Sequence, residues 1–170
     1  MGAIISLDII CDVSWTGPRV DAWRAVVNSH AAVTDRVQRA LMEAHLPPLS
    51  WFEVLAAVKR SPGGRPRMSE LAGWLTLSRG GMTKLVDRLE EAGYLARVSC
   101  PEDRRSLRTK LRPAGERMLE EMHVVYAAEV ERYLRALSEE EAEVITNALE
   151  KVAQATCEAA GHAPAEVSAA

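Results

Sequence analysis

The sequence predicts a mainly α-helical fold with one small β hairpin, and three observations support this prediction. Apolar residues recur at helical spacing over residues 18–44, 113–137 and 138–157. Between these long segments, two short amphipathic patterns are followed by two alternating stretches typical of β-strands. The 170 residues, of which 48% are hydrophobic, are enough to form a folded core. We therefore expect one domain with helical extensions on both sides.

Two short helices are expected within residues 69–92. Each has apolar side chains at three- to four-residue spacing, and therefore one face to bury. These side chains are Leu71, Ala72, Trp74 and Leu75 in the first helix and Met82, Leu85, Val86 and Leu89 in the second. Ser78 can accept hydrogen bonds from the backbone N–H groups that open the second helix, and Gly93 suits the left-handed conformation that ends it. The short link at residues 76–78 then makes the tight corner of a helix-turn-helix.

Two extended stretches follow the second helix. Residues 94–98 and 107–111 roughly alternate between apolar and polar side chains, and residues 101–105 between them are charged and turn-forming. Two strands joined by such a tip form a wing, so residues 69–112 have the order of a winged helix-turn-helix. We assign Arg104 an outward role. We expect Asp103 and Arg105 to set the wing, because an aspartate can hold a neighbouring guanidinium in a fixed bidentate pose.

The start of the second helix carries residues expected of a helix that reads double-stranded DNA. On its side away from the apolar face it presents Ser78, Arg79, Gly80, Gly81, Thr83 and Lys84. A helix in the major groove needs small residues where its backbone approaches the DNA, and cations or hydroxyls that reach bases and phosphates. Alone, this pattern is as typical of plain core packing as of DNA contact. The wing favours DNA, with Arg104 reaching a flanking minor groove.

The charge distribution supports the same interpretation. The chain has a net charge of −3, but residues 59–112 hold 13 Lys or Arg against 6 Asp or Glu, and the remainder holds 8 against 18. A segment of +7 therefore lies on a body of −10. A DNA-binding surface must be locally basic even when the whole chain is acidic. Arg65 and Arg67, in the connector at residues 61–67, are candidates for further phosphate contacts or for solvated turn residues.

Several segments resemble the MarR family of bacterial transcription regulators. Residues 77–90 are similar to its recognition helix, and residues 91–95 and 101–105 to the helix end and the wing. Residues 49–55 and 111–115 resemble the helices before and after this unit, with Arg112 where the family usually has a capping threonine. The resemblance covers residues 20–155. It implies a homodimer that binds a pseudo-palindromic operator and usually releases it on binding a small effector.

Apolar stripes on the terminal helices predict a homodimer independently. They comprise Val20, Trp23, Val27, Val33, Val37, Leu41 and Ala44 in the first helix, and Val144, Ile145, Ala148, Leu149 and Val152 in the last. The winged unit is too small to cover both, whereas a two-fold helical interface buries them. We divide the chain into an N-terminal extension (1–17), a dimerisation helix (18–48), a winged helix-turn-helix DNA-binding domain (49–112), dimerisation helices (113–158) and a frayed tail (159–170).

The resemblance also implies an effector site between the dimer helices and the DNA-binding domain. Trp23, His30 and Trp51 are the polar or aromatic residues on apolar faces of that region, and they are the candidate contacts. Such residues more often serve in packing or as hydrogen-bonded core groups. A small aromatic or lipophilic effector is implied by the family alone.

Other functional classes have little support. Cys11, Cys100 and Cys157 lack metal-ligand spacing and the four histidines form no paired motif, so neither a metal nor a cofactor is expected. Cys11 invites comparison with relatives that sense peroxides, but it precedes the long helix and no cation lies nearby before Arg19, so a buried or idle cysteine is favoured. There is no catalytic motif.

The remaining expectations concern location and alternatives. Asp8 and Asp12 interrupt the apolar N-terminal stretch, which predicts neither a signal peptide nor a membrane span, and we expect a cytoplasmic protein without a membrane partner. The alternative functions are a winged-helix protein-interaction module and a small-molecule-binding dimer without DNA binding.

Overall fold

A computed structural model describes residues 16–75, 77–99 and 107–160, with residue 79 and residues 157–160 described by backbone only. Within these ranges there are six α-helices and one two-stranded antiparallel sheet. The order is α1 (Pro18–Glu43), α2 (Leu49–Arg60), α3 (Met68–Trp74), α4 (Arg79–Glu91), β1 (Leu95–Ser99), β2 (Leu107–Leu111), α5 (Pro113–Leu134) and α6 (Glu139–Ala160). The predicted fold class, mainly α with a small β wing, is confirmed.

Helices α2, α3 and α4 and the two strands enclose the first of two cores. Its buried side chains are Val54, Leu55, Val58, Leu71, Ala72, Met82, Val86, Leu89, Leu95 and Leu111. The faces predicted for the two short helices are therefore the buried ones, with one exception. Trp74 is 39% exposed, so its predicted burial is wrong. Helix α3 has only seven residues and meets this core through Leu71 and Ala72, so its last residue stays at the surface.

The ends of α4 have the predicted local structure. The Ser78 side-chain oxygen accepts a hydrogen bond from the Gly81 N–H at 3.1 Å, which makes Ser78 the N-cap. After the helix, Gly93 has a φ of 78° and the Tyr94 N–H donates to the Leu89 carbonyl at 2.9 Å. This bond pattern is a Schellman motif, which favours glycine because the left-handed conformation is strained for other residues.

A second core joins α2 to the long helices α1 and α5. Val37, Leu41, Leu49, Phe52, Ala56 and Met122 are buried there, and Phe52 stacks on Tyr126 with 4.5 Å between ring centroids. Helix α5 also touches the first core's edge, where a Cβ at Gly115 would lie 2.2 Å from the Tyr94 carbonyl oxygen. Only glycine fits this approach, and it holds the start of α5 against the end of α4.

The outer helices keep apolar side chains at the surface. The exposed ones on α1 and α6 are Trp23, Val27, Met42, Val144, Ile145, Leu149 and Val152. Every residue of α6 whose side chain is described is exposed. Its start is a capping box, in which the Ser138 N–H donates to the Glu141 carboxylate and the Glu141 N–H donates to the Ser138 hydroxyl. The helix is thus well formed locally, yet its apolar face lacks cover within one described chain.

Some predictions fall on other parts of the chain. The first 15 residues with Cys11, residues 100–106 with Cys100, and residues 161–170 lie outside the described residues. Helix α5 ends at Leu134 rather than near residue 137, and α6 continues to Ala160 rather than ending near residue 157. Across the described ranges, none of the helices combines the length and the apolar character needed to cross a membrane.

Candidate nucleic-acid interface

The start of α4 presents its small and polar residues to solvent. Gly80, Gly81, Thr83 and Lys84 are exposed, as is Ser78, whereas Met82, Val86 and Leu89 on the opposite side are buried. The structure therefore brings the predicted contact residues of α4 together on one accessible face. The side chain of Arg79 lies outside the described part, so its contact with DNA stays a prediction.

The glycines of this face are not required by the protein's own packing. A Cβ added at Gly80 would have no neighbour within 4 Å, and one at Gly81 would meet only the Ser78 hydroxyl, at 3.2 Å. A glycine inside a helix costs about 1 kcal/mol relative to alanine. Space at Gly80 is thus left on the outside of the helix, where a partner's surface can approach the backbone closely.

An arginine on the wing joins β1 to α4. The Arg97 guanidinium donates to the Glu90 carboxylate at 2.6 Å and to the Asp87 carboxylate at 2.5 Å, and the Arg97 backbone N–H donates to Glu90 at 2.9 Å. That backbone hydrogen bond, supported by the guanidinium, lowers the pKa of Glu90 against the opposing effect of burial. We call these three residues the Arg97 clamp. The sequence analysis did not predict this clamp. A signal was present in the sequence, because Asp87 and Glu90 lie three residues apart on α4 and an arginine follows on the next strand.

A third extended segment completes the wing. The Thr109 N–H donates to the Pro66 carbonyl at 2.9 Å, and Arg67 pairs with Arg108 in an antiparallel bridge. The Arg108 guanidinium donates to the Arg65 carbonyl at 2.8 Å. The prediction that residues 61–67 are only a connector is therefore incomplete. Pro66 lacks an N–H and so weakens any strand pattern, but its carbonyl still accepts the bond that joins it to β2.

The predicted wing-tip residues Asp103, Arg104 and Arg105 lie outside the described residues. The strands on either side are described and pair in register, with Ser99 opposite Leu107. The end of β1 and the start of β2 therefore lie at the same end of the hairpin. Their roles at the tip stay predictions.

An open cleft of about 480 Å³ lies between α1 and α2. It is lined by His30, Ala31, Thr34, Asp35, Gln38, Leu49, Ser50 and Glu53. Partial burial raises the pKa of Glu53, although the charge of His30 acts in the opposite direction. Glu53 was not among the predicted contacts, because a polar residue on a helix surface is usually solvated.

The structure does not bring the three predicted effector contacts together. His30 lines the cleft, whereas Trp23 is 66% exposed on α1. Trp51 packs edge-on against Tyr94, with 5.8 Å between ring centroids. Effector contact by these residues stays a prediction. Among the described residues, no group of three His, Cys, Asp or Glu side chains could hold a metal ion.

Helices α2, α3 and α4 and strands β1 and β2, which share the first core, are called the reading unit. Residues 46–106, from just before α2 to just before β2, match the model of the MarR family. This segment of the chain is therefore similar to the MarR family. The members that the chain is similar to are transcription regulators, and the matched segment contains α3, α4 and β1.

Relatives extend the similarity of this chain beyond the segment that matches the family model. The HTH-type transcriptional regulator MhqR of Bacillus subtilis is 28% identical over 124 residues, which are 73% of this chain and 83% of that protein. The MarR-family regulator AbsC of Streptomyces coelicolor has a TM-score of 0.73 at 25% identity, covering 85% of this chain and 98% of its own. Sco3205 of Streptomyces coelicolor, solved in complex with DNA, has a TM-score of 0.73 at 24% identity. The match covers 85% of this chain and 92% of that chain.

Proposed function

We propose that this chain is a cytoplasmic, sequence-specific DNA-binding repressor of the MarR family that acts as a homodimer. The observation that carries the proposal is the exposed start of α4, where Gly80, Gly81, Thr83 and Lys84 form one accessible face opposite the core. The vacant space beside Gly80 supports a close backbone approach to a partner. The DNA complex of Sco3205 supports duplex DNA as that partner.

In this proposal α4 enters the major groove. Arg79, Thr83 and Lys84 contact bases or phosphates there, and Ser78 keeps the helix start capped. Arg104 reaches a flanking minor groove, while Asp103 and Arg105 set the wing. The Arg97 clamp supports this division of roles, because it holds β1 at a fixed position on α4 and so relates the wing to the recognition helix.

The homodimer part of the proposal rests on exposed apolar surface. The faces of α1 and α6 expose Trp23 at 66%, Val144 at 68% and Val152 at 55%. Burying such side chains is favourable by roughly 25 cal/mol for each Å² of apolar area. A second copy provides a matching surface by two-fold symmetry and also presents two recognition helices to a pseudo-palindromic operator. The divisions 18–48 and 113–158 are accordingly proposed as dimerisation segments, and 49–112 as the DNA-binding domain.

Sedimentation equilibrium tests the dimer. The double variant Ile145→Asp/Leu149→Asp should sediment as a monomer where the wild type is a dimer, because it places two charges on the apolar face of α6. Asn147→Asp, on another face of the same helix, adds a charge and should stay dimeric. A monomeric wild type, or a double variant that stays dimeric, would contradict this interface.

The proposed effector relief uses the position of α2 between the two cores. One face of α2 gives Val54, Leu55 and Val58 to the first core, and another gives Phe52 and Ala56 to the second. A ligand in the cleft between α1 and α2 would press on a helix that joins the dimer helices to the reading unit. Such a ligand relieves repression only if it binds better to a dimer geometry in which the recognition helices no longer match the operator. A small aromatic or lipophilic compound, contacting His30 and with Trp23 and Trp51 as further candidates, is the proposed class.

DNA binding is tested by fluorescence anisotropy with the DNA immediately upstream of the chain's own gene. Wild type should bind saturably in the presence of unrelated competitor DNA. Lys84→Ala should weaken binding and lower the slope of log affinity against log salt by about 1 for each subunit's lost phosphate contact. Arg36→Ala on α1 removes an exposed cation far from α4 in sequence and should bind like wild type.

Equal, weak binding of the operator region and unrelated DNA, unchanged in Lys84→Ala, would contradict the proposed recognition helix. That result would favour the protein-interaction or ligand-binding alternatives. With binding established, the same assay screens effectors by the release of labelled DNA.

A further inference from the structure

One side of the wing faces away from the core. Thr109 and Leu111 of β2 are buried, and successive side chains of a strand point to opposite faces, so Arg108 and Lys110 point outward. Arg67 pairs directly with Arg108, and Arg65 and Arg67 are both exposed on either side of the buried Pro66. We call Arg65, Arg67, Arg108 and Lys110 the outer wing face.

This face concentrates positive charge without local neutralisation. Within the described ranges, none of its four cations forms an ion pair with a carboxylate. The outward residues of β1 opposite Arg108 and Lys110 are the neutral Val98 and Ala96. The carboxylate of Glu70 binds the backbone N–H of Arg67, at 2.6 Å.

The arrangement opposes the usual pairing rules of a sheet. Arg67 and Arg108 lie directly opposite one another, and like charges in that position destabilise a strand pair. The Arg108 guanidinium donates to the Arg65 carbonyl at 2.8 Å. This bond holds residues 65–67 against β2, although the two residues are 43 positions apart in the chain. A surface that keeps unpaired like charges together on a braced strand is suited to a polyanion.

We infer that the outer wing face binds phosphates of the duplex that flanks each operator half-site, beyond the bases reached by α4 and the wing tip. This inference rests on the proposed DNA binding. The Arg97 clamp packs the inner face of the wing on α4, so the outer face is turned away from the recognition helix. Duplex DNA carries a phosphate charge for about each 1.7 Å of its axis, so flanking DNA offers a continuous row of acceptors. The outer wing face belongs to the same packed unit as the start of α4, because β2 and α4 share one core, and its row of cations matches the regular row of phosphates; this favours DNA over an acidic protein as the occupant.

The test compares two duplexes that share one operator. The short duplex ends at the outer edges of the half-sites, and the long duplex adds roughly one helical turn, about 10 base pairs, at each end. The variant is Arg65→Gln/Arg67→Gln, which keeps Arg108 in place because its guanidinium holds the segment to β2. Arg36→Gln/Arg117→Gln is the matched control, with two exposed cations removed from α1 and α5. Lys110→Gln is a second variant, and it leaves residues 65–67 unchanged.

Wild type should bind the long duplex more tightly than the short one. Arg65→Gln/Arg67→Gln should bind the short duplex like wild type but lose most of the gain, on the order of tenfold, because four exposed ion pairs per dimer disappear. Its salt slope on the long duplex should fall by about 1 for each lost phosphate contact. Lys110→Gln should show a smaller loss in the same direction, and the control variant none.

Three results would overturn the inference. Equal wild-type affinity for both duplexes, with specific binding retained, refutes flanking contacts while leaving the proposed function intact. A variant equally weakened on both duplexes assigns the arginines to the reading unit or its folding. Absence of specific wild-type binding to either duplex overturns both this inference and the proposed function.

Discussion

Replacing Arg97 by alanine removes the side chain that links the wing to the recognition helix. The Arg97 side chain is 20% exposed, and the substitution leaves the carboxylates of Asp87 and Glu90 without their cation. The backbone N–H that donates to Glu90 remains, so one of the clamp's bonds is kept. The variant therefore tests the guanidinium specifically.

The size of the effect follows from how exposed each partner is. A hydrogen bond to a charged group contributes about 1.5–3 kcal/mol when well formed. Glu90 is 32% exposed and keeps most of this strength, whereas Asp87 is 55% exposed and its ion pair is largely screened by solvent. We expect the free energy of unfolding to fall by about 2 kcal/mol. For a chain of this size the melting temperature should fall by about 4–8 °C.

The pH dependence gives a second, independent readout. The pKa of Glu90 is lowered in the folded state, so its contribution to stability is present above the usual value of 4.5 and is lost as the pH falls through the lowered value. The stability difference between wild type and Arg97→Ala should be full at neutral pH and shrink below pH 4.5.

Thermal unfolding followed by circular dichroism measures both effects at one fixed protein concentration, which matters for a proposed dimer. Arg88→Ala, on the exposed side of the same helix, is the control and should change stability by less than about 0.5 kcal/mol. The reasoning is refuted if Arg97→Ala melts with the wild type at neutral pH. It is also refuted if the difference persists undiminished in acid.

Two further predictions concern close packing and the cleft. Gly115→Ala should lower the free energy of unfolding by about 3 kcal/mol, because its Cβ would lie 2.2 Å from the Tyr94 carbonyl oxygen, which is held by the Arg112 N–H. Gly73→Ala in α3 is the control: its Cβ would meet nothing within 4 Å, so it should raise the free energy of unfolding by about 0.5–1 kcal/mol. Urea unfolding measures both variants, and equal changes at Gly73 and Gly115 would contradict the clash. Partial burial raises the pKa of Glu53, so wild type should lose stability as the pH rises from 4.5 through the raised value. Glu53→Gln should remove that loss and be the more stable protein at neutral pH, whereas parallel pH curves for the two proteins would show that the cleft does not perturb this carboxyl.

Local patterns in the sequence determined the elements of the reading unit. The spacing of Met82, Val86 and Leu89 identifies the buried face of α4. Ser78 and Gly93 mark the ends of this helix, where the capping hydrogen bonds join residues at most five positions apart. Such features depend on backbone geometry within one or two turns, so a sequence records them directly. The same holds for the exposed polar face at the start of α4, which is the complement of the buried one.

Tertiary structure alone decided the contacts between distant segments. The Arg97 clamp, the bond from Arg108 to the Arg65 carbonyl and the close approach of Gly115 to Tyr94 each join residues that lie between 7 and 43 positions apart in the chain. Their residues look like ordinary surface charges, or an ordinary glycine, within their own stretch of sequence. The apolar pattern also predicted a single apolar stripe on α1, of which only Val37 and Leu41 are buried within one chain. A periodic pattern shows which face of a helix is apolar, but packing against α2 and α5 decides how much of that face one chain can cover.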